Sequence, residues 1–124
     1  MKTLRITLLS VLAFSLILSF VFAVEQTPEE RGKALFNDPK FAGAISGKSC
    51  NSCHQDGKGL EKAAAKKEFH VMAGKQNSLE EVVNVCIENA IRGNKIDPKS
   101  EQMKDIVAYI KSLGKKTEEK APNY

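Results

Sequence analysis

Five consecutive residues carry the chemistry of this chain: Cys50-Asn51-Ser52-Cys53-His54. The pattern C-x-x-C-H is the attachment signal of a c-type haem. Two thiols three residues apart can add to the two vinyl groups on one edge of a porphyrin and form two thioether bonds. The residue that follows, His54, then offers an imidazole nitrogen to the iron from one side of the ring. A zinc site would need further Cys or His at ligand spacing, and only Cys86 and His70 remain. A thioredoxin-type motif would sit in a βαβ pattern, which the flanking sequence does not show. The pattern therefore implies one covalent haem c, with Cys50, Cys53 and His54 as its anchors.

The second axial position has four candidates: His70, Met72, Cys86 and Met103. His70 and Met72 follow His54 by only 16 and 18 residues, a short reach around the edge of a haem. Met103 follows by 49 residues and Cys86 by 32, so both have ample reach. Each also has a plain core reading, since Met and free Cys are both common interior residues.

The elements that must position these residues read as helices. Thr27-Pro28-Glu29-Glu30 is a capping box with Pro at the first helical position, and Asn37-Asp38-Pro39 ends that helix. A loop from Phe41 to Ser49 precedes the haem motif, which leads into a short helical turn. Asp56-Gly57-Lys58-Gly59 is a turn, Leu60 to Glu68 reads as an Ala- and Lys-rich helix, and Phe69 to Asn77 as a loop. Ser78-Leu79-Glu80-Glu81 is a second capping box. The helix it opens runs to about Arg92, with Leu79, Val82, Val83, Cys86, Ala90 and Ile91 on one apolar face. Asp97-Pro98-Lys99-Ser100 starts a last helix to Leu113, with Met103, Ile106, Val107, Ile110 and Leu113 as its buried stripe. No stretch alternates as a strand does, so the fold class is all-α, with four to five helices around the haem.

The chain has 124 residues and a formal charge of +4 at pH 7. Lys2, Arg5, the apolar run Ile6 to Val24 and the small residues around Val21-Phe22-Ala23 read as a secretory signal peptide over residues 1–23. An uncleaved membrane anchor is the alternative. Residues 24–114 form the haem domain and residues 115–124 a polar C-terminal tail. Of 19 basic side chains, removing Lys2 and Arg5 leaves 17 against 15 acidic, and two haem propionates bring that balance near zero. Nothing in the charge calls for nucleic acid. Cys86 has no disulfide partner once Cys50 and Cys53 are committed to haem, and an exported lone thiol has to be buried or coordinated.

The stretches Gly32-x-x-Leu35-Phe36 and Val107-Ala108-Tyr109-Ile110 resemble the first and last helices of class I cytochromes c. Leu79-Glu80-Glu81, Asn84-x-Cys86, Gly93-Asn94-Lys95, Ser100-x-x-Met103-Lys104 and Val107-Ala108-Tyr109 are similar to the first haem domain of diheme thiosulfate dehydrogenases and to SoxA-type cytochromes. The resemblance implies a class I-like fold in which the terminal helices cross. It also implies Cys86 as the distal iron ligand, while Met103, by its reach alone, is the alternative. Those enzymes carry a second haem domain, whereas this chain has a single C-x-x-C-H.

The expected function is a monohaem electron carrier of the periplasm, acting with redox protein partners and without catalytic residues of its own. The runner-up is an enzyme or haem subunit of thiosulfate oxidation, working in a membrane-bound or sulfur-oxidising complex, with Lys62, Lys66 or Arg92 drawing in the anion. Lys58, Lys62, Lys66 and Lys67 form either a positive collar beside the haem edge or a solvated helix face.

Overall fold

The computed structural model describes residues 25–119. The expected signal segment and the last five residues of the expected tail lie outside them. Among the described residues four α-helices are present: α1 (Pro28–Asn37), α2 (Cys50–Cys53), α3 (Leu79–Asn89) and α4 (Glu101–Glu119). A hairpin of β1 (Phe69–Val71) and β2 (Gly74–Gln76) stands before α3, and single 3₁₀ turns occupy Phe41–Gly43, Gln55–Gly57 and Ala63–Ala65. No helix of the described residues is long and apolar enough to cross a membrane.

The caps that the sequence announces set where the helices begin. At α1, the Glu30 amide donates to Thr27 Oγ1 at 3.3 Å and the Thr27 amide donates to Glu30 Oε2 at 2.8 Å. At α3, the Glu81 amide donates to Ser78 Oγ at 3.2 Å, but the Glu81 carboxylate accepts from Asn77 rather than from the cap itself, at 2.8 Å. At α4, Ser100 Oγ accepts from the Met103 amide at 3.2 Å. Gly114 does not stop α4, which continues to Glu119, five residues past the expected end of the domain. Gly costs a helix only ~1 kcal/mol relative to Ala, and the Lys and Glu residues that follow are good helix formers.

The core forms where α1 crosses α4. Gly32 lies so close to the α4 backbone that a Cβ there would collide with the Asp105 carbonyl oxygen and meet Tyr109 Cβ at 2.8 Å. One turn on, the Phe36 and Tyr109 rings meet edge to face, with centroids 5.1 Å apart at 61°. Beside the crossing, Asp105 is buried and receives two bonds of 2.8 Å from the Arg31 guanidinium. A carboxylate in that position needs a partner, and a bidentate Arg supplies one with fixed geometry. Met103 and Ile106 on α4 are fully buried, together with Ile87 of α3.

Two expectations from the sequence are corrected. Leu60 to Glu68 is not a helix; only the turn Ala63–Ala65 forms there. Its propensity is good, but a segment this short needs an apolar face to bury, and of its residues only Ala63 is buried. Phe69 to Asn77 is not a plain loop but an antiparallel hairpin, pairing Phe69 with Gln76, His70 with Lys75 and Val71 with Gly74. Three-residue strands are too short for period-two alternation to register in the sequence. The two-residue connection Met72-Ala73, followed by Gly74 at φ 94°, is the geometry of a tight hairpin.

The crossing yields a direct test. Gly32→Ala should destabilise the haem-loaded protein by about 2–3 kcal/mol, since overpacking a tight contact costs that order, and a denaturant titration reads the loss. An unchanged midpoint would mean that the two helices separate at little cost.

Candidate cofactor site

An apolar cleft of about 600 Å³, its open mouth included, runs between α2 on one side and α3 and α4 on the other. Its floor is Phe36, Ile106 and Ile110, from the two crossing helices. One wall carries Ser49, Cys50, Cys53, His54 and Leu60, and a second, built by α3 and the two residues after it, carries Leu79, Val82, Val83, Cys86, Ala90 and Ile91.

The periodicity of α3 explains the second wall. The row Leu79, Val83, Ile87 recurs every four residues and is buried. The neighbouring row Val82, Cys86, Ala90 lies one step around the helix, and all three line the cleft. The six apolar-face residues read from the spacing are the six that face it. Asn84 lies on the far side of the helix from Cys86, buried, and its side-chain amide grips one backbone unit. Asn84 Nδ2 donates to the Ile96 carbonyl at 2.9 Å, and the Ile96 amide donates to Asn84 Oδ1 at 3.0 Å. This pair of bonds ties the segment after α3 to the helix and fixes the helix's rotation. The sequence reading did not single out this role; a polar residue amid an apolar helical run was the signal for it.

On the first wall, α2 is a single helical turn, so Cys50 and Cys53 share a face. Ser49 and Ser52 brace the turn, the Ser49 amide donating to Ser52 Oγ at 3.0 Å. His54 follows directly, with Nδ1 3.2 Å from the Lys58 carbonyl oxygen. A carbonyl only accepts, so in that bond Nδ1 carries the proton and Nε2 keeps its lone pair. That is the arrangement of a metal-ligating histidine oriented by a second partner. The bond depends on the turn Gln55–Gly57, in which Asp56 sits at φ 51° and Gly57 at φ 81°, pressed against Leu113 of α4.

The three cysteines converge on this cleft. Burial, together with the nearby Cys86 and Cys53 sulfurs, pushes the Cys50 thiol up to about 11. Burial also raises Cys86, with a smaller contribution from Cys53. Cys53 is exposed at the mouth. Met103 is completely buried and does not line the cleft. His70 and Met72 sit on the hairpin, exposed and away from the lining. Of the four sulfur or imidazole groups weighed for the second axial position, only Cys86 faces the same space as His54.

The residues present fit a flat, largely apolar cofactor held by two thiols and an imidazole. Nine of the lining residues are hydrocarbon side chains, and the other five are Ser49, the Cys50, Cys53 and His54 of the C-x-x-C-H segment, and Cys86. Cys50, Cys53 and His54 would hold a haem c on one wall, and Cys86 stands on the other. The lysines of the expected collar are all exposed. Lys58 and Lys62 flank Glu61, whose carboxylate is held below its ordinary value by backbone N–H bonds, its own and that of Gly59, and by these two cations.

Residues 31–118 match the family described as the SoxA/TsdA cytochrome c domain. Among solved structures, the chain is similar to one described as SoxXA from P. pantotrophus, at 27% identity and a TM-score of 0.56. The match covers 69% of this chain and 32% of that one, so the chain spans about a third of the length of its structural relative. No curated protein matches the chain.

The Asn84 clamp is testable apart from the cofactor ligands. Asn84→Ala removes two hydrogen bonds and leaves a half-buried amide and carbonyl unpaired, so it should cost about 1–3 kcal/mol. Thermal unfolding of the haem-loaded variant checks this, and wild-type stability would show that the segment after α3 is held by other contacts.

Proposed function

As this chain belongs to the SoxA/TsdA cytochrome c domain family, a family of haem-bearing electron-transfer domains, we propose that it is an exported monohaem electron carrier. Its haem c is attached at Cys50 and Cys53 and ligated by His54 and Cys86. The observation that carries this reading is the convergence of those four side chains, three from the C-x-x-C-H segment and one from α3, on one apolar cleft. When bound, haem c supplies a reversible one-electron ferric/ferrous couple.

The chain's own residues supply the rest. The hydrocarbon walls exclude water, which keeps the surroundings of the site nearly unchanged between charge states. The Lys58 carbonyl holds the His54 ring in one tautomer and one orientation. The α1–α4 crossing fixes the floor, and the Asn84 clamp fixes the wall that bears Cys86. Cys53, exposed at the mouth, marks where the cofactor edge would come nearest to solvent.

One haem supports carriage better than catalysis. Joining two thiosulfate ions through a new S–S bond releases two electrons, and the sequence holds a single C-x-x-C-H to receive them. A second reading, a haem subunit of a sulfur-oxidising assembly, is favoured by the likeness to the SoxXA chain, of which this chain spans about a third. Sustained thiosulfate turnover by the isolated protein would overturn the carrier in favour of an enzyme. Export rests on Lys2, Arg5 and the apolar run before Val24, and a mature protein beginning at or near Val24 would support it.

Two results are expected. Cys50→Ala with Cys53→Ala should abolish the haem that otherwise survives denaturing electrophoresis; haem extracted freely by acidic organic solvent from the unmodified protein would overturn covalent attachment. Cys86→Ser should change the ferric absorption and paramagnetic resonance spectra and raise the midpoint potential, because an anionic sulfur donor favours the more highly charged iron. Met103→Leu should leave those spectra unchanged and cost under about 1.5 kcal/mol of stability. The reverse pattern would return Cys86 to the core and assign Met103 to the iron.

A further inference from the structure

Beside the mouth of the cleft, two segments are zipped together. The Ile45 amide donates to the Arg92 carbonyl at 3.3 Å, the Ser46 amide to the Ile91 carbonyl at 3.2 Å, and the Asn94 amide to the Ala42 carbonyl at 2.8 Å. They approach so closely that a Cβ on Gly93 would meet the Ala42 carbonyl oxygen at 3.0 Å. Ile91 and its exposed neighbour Ala90 line the cleft, so this small platform forms part of the cleft's lip.

On the platform Ile45 is 80% exposed, one of two large hydrophobic side chains so placed among the described residues. A single exposed apolar residue is ordinary. Its surroundings are not. Residues 41–49 and 90–96 contain Lys48, Arg92 and Lys95 and no carboxylate. Lys95 is answered by Glu88 at 3.1 Å, whereas Lys48 and Arg92 enter no ion pair among the described residues. Arg92 also sits at φ 56°, in the left-handed region where Gly or Asn would be the low-cost choice. A strained position thus carries a long cation beside an exposed hydrophobe on a rigid lip.

We propose that this platform is the docking face for an acidic redox protein. Ile45 and Ala90 meet an apolar spot on the partner, and Lys48 and Arg92 meet the carboxylates around that spot. The proposal rests on the carrier reading, because docking here brings a partner to the open edge of the cleft. Charge selects the partner. A second copy of this chain would set Lys48 and Arg92 against their own like, which opposes association. The lysine segment on the other wall is the rival face, but Lys58 and Lys62 already share the Glu61 carboxylate between them.

The test uses the haem-loaded protein and an acidic blue-copper protein, plastocyanin, as the probe. Amide shifts on titration should cluster at Ile45, Lys48, Ala90 and Arg92 and shrink as salt is added. Ile45→Glu, Lys48→Glu and Arg92→Asn, the last keeping the backbone conformation available, should each slow electron exchange with the probe about tenfold at low ionic strength. The variants' haem absorption verifies that they fold. Met72→Glu, at the other exposed hydrophobe, should keep the wild-type rate. Shifts confined to residues 58–67, a slowed Met72→Glu, or a rate indifferent to salt would overturn the proposal. So would shifts that appear on concentration without the probe, which would mark a self-contact. A protein that ascorbate or dithionite cannot reduce would instead overturn the carrier reading, and the docking face with it.

Discussion

The close backbone approach of α1 to α4 at Gly32, the tightest glycine contact among the described residues, is the constraint on which the rest depends. Because there is no side chain at Gly32, the two helices come near enough for Arg31 to reach Asp105 and for Phe36 to meet Tyr109. The same crossing brings Phe36, Ile106 and Ile110 together as a floor. Without that floor, the walls built by α2 and α3 would have nothing to stand on. Other features reinforce it: Leu113, two turns beyond Ile106, is the surface on which the turn after His54 rests.

Much of this was legible in the residues. The caps at Thr27, Ser78 and Ser100 mark where the helices begin, because a helix start demands a specific donor–acceptor exchange that few residues supply. The apolar face of α3 was legible for the same reason, since a buried stripe must repeat at 3.6 residues. The segment from Leu60 to Gln76 was not. Its Ala and Lys residues favour helix locally, but no neighbour offers a surface to bury a full helical face, so the chain turns once and then pairs with itself. Strands of three residues leave no periodic trace, and only Phe69 of the hairpin rests on the core.

The site divides along the same line. Cys50, Cys53 and His54 could be read because covalent chemistry fixes both their types and their spacing. Cys86 came ahead of Met103 in the sequence only through its resemblance, its lone thiol and its central place on an apolar face, since both residues lie on apolar helix faces and both have the reach. The difference between them is one of place. Cys86 belongs to the row of α3 that the helix's rotation turns toward the cleft, whereas Met103 shares the stripe of Ile106 and Ile110 on α4 but sits a turn earlier, fully buried in the core and outside the lining. The Asn84 clamp, which sets that rotation for α3, works through a backbone unit twelve residues away and has no signature beyond a polar residue in an apolar run.

The ion pair between Arg31 and Asp105 joins residues 74 positions apart, and this separation orders events in time. A chain that emerges from its N-terminus has presented α1, both thiols of α2 and His54 well before the matching half of the crossing exists. Until α4 is available, the C-x-x-C-H segment stands on an open strand of polypeptide with no floor behind it, reachable from both sides. Closure of a contact this distant is slow compared with forming a local helix. If haem is attached at Cys50 and Cys53 as proposed, the placement of the motif early in the chain and of its supporting helix late would leave an interval in which the thiols stay accessible for that attachment, before the last helix closes the cleft behind it.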